Sequence, residues 1–282
     1  MAEATTSHSD PRSEVSPPPD ARRVGVWQFL VLAVIYLIIV QGMSAILMVG
    51  QGIAHGAPTT NDHLIRTIVL PVGLATAFTL VVVGYLGAWD EVFVDRRPVR
   101  NWLIAIPIIL LVTVAVITNY PGLAAKGLDF TLLLLVATLM VGFGEELMFR
   151  GIGVLAFRSG GHSEFRVGLW TTLIFGLAHG TNIFTAGPQA LIQVVATSGT
   201  GLVFYLIRRR AGALVAAMAA HGLWDFGVLS SQIDPDQPWP LVNGAAVALA
   251  VMLLLVLILR RRVAPEPPAA EPESSRNTGE LA

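Results

Sequence analysis

Eight stretches of this chain keep an apolar character for about the length a helix needs to cross a bilayer, roughly 20 residues. No other feature restricts its folding so strongly. The stretches cover residues 26–49, 64–88, 101–118, 128–157, 166–184, 188–207, 211–231 and 240–260. In hydrocarbon every backbone N–H and C=O must be satisfied inside the protein, so such segments are helices. Composition agrees: 54% of the 282 residues are hydrophobic and 13% charged, against about a quarter charged in a soluble domain. The sequence therefore predicts an all-α, polytopic membrane protein of about eight transmembrane helices, with membrane lipids around it. A net charge of −1 gives no ground for a nucleic-acid partner.

The arginines set an orientation. Arg22 and Arg23 precede the first stretch, and Arg96, Arg97 and Arg100 follow the second. Arg158 and Arg166 flank the loop after the fourth, Arg208, Arg209 and Arg210 follow the sixth, and Arg260, Arg261 and Arg262 follow the eighth. The opposite side holds only Arg66 and Lys126 as basic residues, with Asp234 and Asp236 in its last loop. Cytoplasmic loops carry the excess of Lys and Arg, so this alternation predicts both chain ends in the cytoplasm. Trp27, Trp102 and Trp239 fall near stretch ends and read as interfacial anchors. Residues 1–23 and 263–282, rich in Pro, Ser and charge, read as disordered cytoplasmic tails around a transmembrane domain at 24–262. With no secretory or organelle signal in the N-terminal segment, a prokaryotic plasma membrane is the simplest location.

Ionisable residues in the interior of these stretches are few and grouped: Glu145, Glu146, Arg150, His179, His221 and Asp225. Each costs a few kcal/mol to insert, so such groups pair with one another or line a wet site. Counted from the nearest arginine marker at about 1.5 Å per residue, Glu145, His179 and His221 sit at similar depths of roughly 16–20 Å. Three polar groups on three helices can therefore meet at one level. Glu146 and Arg150 are spaced i, i+4 and can pair, while Glu145 points about 100° away and is free for another task. Phe175 and His179 share the same spacing, as do His221 and Asp225, so Asp225 can orient His221 or line the same cavity. Gln193 and Thr197 on the sixth stretch read as helix-packing polar residues, and Gly199 and Gly201 as close-contact positions.

A carboxylate in a low-dielectric site is a competent general base, and nearby histidines can hold a water or stabilise an oxyanion. Glu145, His179, His221 and Asp225 thus suit amide hydrolysis by an activated water. The same donors can also take a divalent metal, and the residues alone leave both readings open. The chain lacks H-E-x-x-H, G-x-S-G and G-x-G-D, and with no cysteine it has no thiolate nucleophile.

EELMFR at 145–150 fits E-E-x-x-x-R, FGLAH at 175–179 fits F-x-x-x-H, and HGLWD at 221–225 fits H-x-x-x-(N or D). In this order on apolar helices, these motifs resemble the CPBP (Abi) family, the type II CAAX prenyl endopeptidases and their bacterial relatives, over about residues 130–230. The resemblance implies an eight-helix core with an intramembrane cavity open to the cytoplasm and no required cofactor. It implies that Glu145 and His179 activate the water, that His221 and position 225 stabilise the oxyanion, and that Glu146 and Arg150 support them. In the prenyl-protein branch position 225 is Asn; here it is Asp225, so the family name does not define the substrate. The expected activity is that of an intramembrane glutamate-type endopeptidase, cleaving a peptide or protein substrate at the cytoplasmic face or within the bilayer. The alternative is a non-proteolytic immunity or scaffold protein of the membrane.

Overall fold

A computed structural model describes residues 23–50, 58–97, 99–234, 236–237, 239–260 and 263. The expected tails, apart from Arg23 and Val263, and with them Arg22, Arg261 and Arg262, lie outside the described residues. Among the described residues the regular structure is helical, with one isolated antiparallel bridge between Val94 and Ala213. The principal helices are α1 (Val26–Met48), α2 (Asn61–Leu86), α3 (Trp89–Phe93), α4 (Asn101–Ile117) and α5 (Tyr120–Lys126). They continue with α6 (Leu128–Ser159), α7 (Glu164–Ala178), α8 (Gln189–Ala211), α9 (Leu214–Ser230) and α10 (Pro240–Ile258).

The helix ends follow from local chemistry. Thr60 caps α2, its side chain accepting from the His63 N–H at 3.2 Å. Gly87, with φ of 65°, and Gly212, with φ of 71°, end α2 and α8 in the left-handed conformation that glycine adopts without strain. Asn119 caps α5 by accepting from the Gly122 N–H at 2.9 Å, and α5 leaves α4 at a bend of 56°.

Each expected apolar stretch overlaps one of these helices, but they are not equally long. Among the described residues, five helices are long and apolar enough to cross a membrane, or six if the bent α4–α5 pair is one span. The helix α7 has 15 residues and α9 has 17, which gives about 22–26 Å against a hydrocarbon core of about 30 Å. The expected span 166–184 is cut short because the chain tightens into a 3₁₀ turn at His179–Asn182. The outward faces of the helices carry large exposed apolar side chains, among them Val34, Ile38, Val81, Ile108, Val112, Ile192, Val195 and Leu254, a surface suited to lipid and not to water. The protein is a multi-pass membrane protein. Helices α6 and α8 bury 50% of their apolar windows and α1 and α10 only 11%, so the first pair is central and the second peripheral.

The closest crossing in the core joins α6 to α9. A Cβ on Gly142 would meet the Met218 carbonyl and fall 2.5 Å from Gly222 N. A Cβ on Gly222 would fall 2.7 Å from Leu139 Cα. Two glycines therefore let the backbones touch, one turn before Glu146 and one residue after His221. Because the obstacles are backbone atoms, Gly142→Ala is expected to cost about 1–3 kcal/mol, read as a lower thermal midpoint of the detergent-solubilised protein. Activity is expected to fall with it, because separating α6 from α9 pulls His221 away from Glu146.

Arginines from three of the basic loops gather at one end of the bundle. The buried Asp95 carboxylate accepts from Arg158 at 2.7 Å and lies 3.6 Å from Arg208 and 3.7 Å from Arg209. Glu164, ahead of the apolar part of α7, accepts from Arg158 at 2.9 Å, Arg209 at 2.6 Å, Tyr205 at 2.7 Å and also Arg97. Burial alone pushes the Glu164 carboxyl up, but the bonds from Arg158 and Tyr205 and the charges of Arg158 and Arg209 outweigh it and hold it down at about 2. Its contribution to stability is thus present above its ordinary value of 4.5 and is lost only as the pH falls through about 2.

Candidate functional site

The sequence-predicted residues converge from three helices. Glu145, Glu146 and Arg150 come from α6, His179 from the residue that follows α7, and His221 and Asp225 from α9. Just after Glu146, α6 widens into a π-helical turn at Leu147–Ile152. Such insertions in α-helices concentrate at functional sites. Here the turn keeps every residue from Glu146 to Val154 buried, so Glu146 and Arg150 both face inward.

The ion pair expected from the i, i+4 spacing forms, with Arg150 Nη1 donating to Glu146 Oε1 at 2.9 Å and both side chains 0% exposed. Arg150 also lies over the Phe175 ring, 3.9 Å from Cζ to the centroid, a cation–π contact that replaces lost hydration in part. Glu146 does more than the spacing suggested. Its Oε1 lies 3.0 Å from His221 Nδ1, and since a carboxylate accepts, the imidazole donates from Nδ1 and presents Nε2 to the other side chains. Just past α7 the His179 Nδ1 lies 3.0 Å from the Phe175 carbonyl. A carbonyl only accepts, so Nδ1 carries the proton and Nε2 of neutral His179 is an acceptor.

Glu145 stands between these two rings. Its Oε2 is 3.9 Å from His179 Nε2 and 3.9 Å from His221 Nε2. That is too long for a direct hydrogen bond and short enough for one bridging water. Asp225 Oδ2 is 3.5 Å from His221 Nε2. Exposure divides the group: the side chains of Glu145 and His179 are 18% exposed and Asp225 27%, while His221 is 4% exposed. These three side chains are thus partly open and the Glu146–Arg150 pair is closed, although Glu145 Oε2 itself is buried and has no hydrogen-bond partner, so a water there would be an enclosed one.

Aromatic rings fix the histidines. Phe204 stacks on His221, with centroids 4.4 Å apart and planes 19° off parallel. The Phe175 edge contacts run to His179 at 4.8 Å and His221 at 5.7 Å. Gly201, expected at a close contact, is at one: a Cβ there would fall 2.6 Å from Arg150 Nη2 and 3.0 Å from Phe175 Cδ1. Gln193 and Thr197 pack as expected. Gln193 accepts from Asn182 at 2.9 Å, and Thr197 donates to the Gln193 carbonyl at 2.7 Å. Beyond His179, Gln41 of α1 donates to Thr181 at 3.0 Å and to Asn182 at 2.8 Å. Sequence reading missed Phe204, Gln41 and Asn182, and only the polar character of Gln41 within a long apolar helix signalled any of them.

As for a metal, no group of three or more His, Asp or Glu among the described residues is placed to hold one. Tetrahedral zinc ligands at about 2.0–2.2 Å stand about 3.4 Å apart, closer than the 3.9 Å of both Glu145–histidine pairs.

No curated protein and no solved structure matches the chain. A family match does exist. Residues 127–227 match the family described as type II CAAX prenyl endopeptidase Rce1-like. The matched segment begins just before α6, ends within α9 and holds all six side chains described above. This match, over residues 127–227, supports a CPBP-type family of CAAX membrane proteases for that segment of the chain.

Proposed function

We propose that this protein is an intramembrane endopeptidase in which Glu145 and His179 activate the attacking water. The observation that carries the reading is the 3.9 Å separation of Glu145 Oε2 from the Nε2 atoms of two histidines whose other nitrogens are already engaged. A water between Glu145 and His179 gives one proton to the Glu145 carboxylate while its oxygen attacks the peptide carbonyl. His221, protonated at Nε2, donates to the resulting oxyanion, and Glu146 holds the ring from the other side. Glu145 then returns the proton to the leaving amine as the C–N bond breaks. The family supports a protease acting on a peptide or protein; the division of labour among these side chains is our reading. So is a reaction without metal, supported by the donor spacing above. Zinc bound at one per protein and lost in His179→Ala would overturn that part.

Asp225 replaces the Asn of the prenyl-protein branch and cannot donate to an oxyanion when ionised. We assign it to orienting His221 across the 3.5 Å gap. Asp225→Asn is then expected to hold activity within about tenfold, because the amide oxygen can still accept from Nε2–H in the resting site, before that hydrogen turns to the oxyanion. A loss as large as that of Glu145→Gln would place Asp225 in the chemistry itself.

The arginine end is assigned to the cytoplasm on the positive-inside rule. With no cysteine in the chain, Ser163→Cys and Gln237→Cys give one label site at each end. An impermeant maleimide applied to intact cells is expected to modify position 237 and not 163. The plasma membrane of a prokaryote remains the simplest site of action.

The function itself is tested by comparing membrane peptides across the proteome of a deletion strain with and without the restored gene. Specific fragments that appear only with the wild-type protein support the protease and identify its substrate. Unchanged fragments alongside a restored phenotype would move the reading to a non-proteolytic scaffold or immunity protein.

A further inference from the structure

Two clefts outside the Glu145 site adjoin at the arginine end. The first, about 580 Å³, is lined by the side chains of Arg23, Arg96, Arg97 and Arg158 against a single acid, Glu91. The second, about 530 Å³, shares Arg23 and Val24 with it and continues between α1 and α2 over Trp27, Val31, Leu32, Val82 and Tyr85. One cleft is cationic and the other apolar, and they meet where a headgroup would join an acyl chain.

Charge decides what the first cleft takes. Arg96 pairs with the exposed Asp90, Arg97 with Glu164, and Arg158 with Asp95 and Glu164. Arg208 and Arg209 add two more cations to the same network, close to Asp95. Six arginines (23, 96, 97, 158, 208 and 209) thus face four carboxylates (90, 91, 95 and 164). The cluster keeps a formal excess of two positive charges, supplied by Arg208 and Arg209, which are largely buried behind the cleft and do not line it. A singly charged phosphodiester fits that excess, and guanidinium groups bind it bidentately. A basic pocket against an apolar helix face is a site for an anionic lipid headgroup.

We propose that this pair of clefts binds one anionic phospholipid, its phosphate among Arg23, Arg96 and Arg97 and one acyl chain along Trp27, Val31 and Leu32. The site is separate from Glu145 and independent of the proteolytic reading. It ties α1 to the α2–α4 connection through a ligand that the membrane itself supplies. Arg23 and Arg96 are exposed, so their replacement leaves the core intact.

The test uses the full-length protein purified in a neutral detergent. Dioleoylphosphatidylglycerol at about a hundred times its dissociation constant is expected to raise the thermal midpoint by about 5 °C. Dioleoylphosphatidylcholine and inorganic phosphate are each expected to give less than a quarter of that shift. The double variant Arg23→Gln, Arg96→Gln removes the cationic half and is expected to lose at least half of the shift. Val31→Trp narrows the apolar groove at an exposed position and is expected to do the same. An equal shift with the zwitterionic lipid would overturn the arginine part. An equal shift with phosphate alone would reduce the site to a free-anion site. A full shift retained in both variants would overturn the proposal outright.

Discussion

Glu145→Gln is expected to lower cleavage by the purified protein about 10²- to 10⁴-fold, the usual contribution of a positioned general base. Glutamine has nearly the same shape and keeps an oxygen toward both imidazoles, but it cannot take a proton from water. The variant should therefore unfold at a midpoint close to that of the wild type, since the Glu146–Arg150 pair and the His221–Glu146 bond do not involve it. The same substitution separates the two functional classes. A scaffold or immunity protein depends on shape and surface, and Glu145 is only 18% exposed, so such a protein would tolerate the exchange. Rescue of a deletion strain by the wild type and not by Glu145→Gln supports the protease. Full rescue by both would assign the polar cluster to structure.

His179→Asn provides a graded companion to that experiment. The His179 ring is held through Nδ1 by a backbone carbonyl 3.0 Å away, so its contribution is to hold the water on Nε2 and not to carry the proton. Loss of that positioning alone should be smaller than loss of the base. If His179→Asn were as inactive as Glu145→Gln, the two would act as one unit, and their separate effects would not add.

Much of the site could be read from spacing because helices convert spacing into faces. Four residues apart means one face, so Glu146 with Arg150 and His221 with Asp225 were predictable neighbours, and both are within 3.5 Å. Adjacent residues diverge by about 100°, which put Glu145 and Glu146 on different errands. Depth counting from the arginines brought three helices to one level. What spacing could not supply was rotation of one helix about its axis relative to another. That rotation turns Glu146 onto Nδ1 of His221 and Glu145 toward Nε2 of the same ring, so one imidazole stands between two carboxylates. It also lays Phe204 over His221, a contact that no local pattern announces in a helix already rich in apolar residues. The span lengths were less legible for a related reason. Apolar residues resume at Ile183 and Phe184 beyond the polar His179–Asn182, yet the backbone leaves the α-helix at His179, so bridging that polar turn overstated α7. The π-helical turn after Glu146 likewise has no signature in EELMFR and is set by how α6 packs.

Arg150→Met should be the most destabilising of these changes, and it acts on folding, not on chemistry. The wild-type pair is fully buried with a 2.9 Å bond, and removing one partner of such a pair costs about 3–5 kcal/mol because the other charge is left uncompensated. Here Glu146 would lose its arginine and be left with His221 as its one partner, at 3.0 Å. The damage should therefore spread from stability to the orientation of the ring. Phe175 would also lose the cation 3.9 Å above its face. The double variant Glu146→Gln, Arg150→Met removes both charges and keeps an oxygen able to accept from His221 Nδ1. It is expected to regain at least half of the lost stability, because a buried ion pair exchanged for neutral groups of similar volume is often close to neutral. Thermal unfolding of the two single variants and the double variant, in one detergent, gives the coupling directly. Recovery in the double variant assigns the pair to charge compensation. If the double variant is as unstable as the sum of the singles, the guanidinium matters for how it packs against Phe175 and Gly201 and not for its charge.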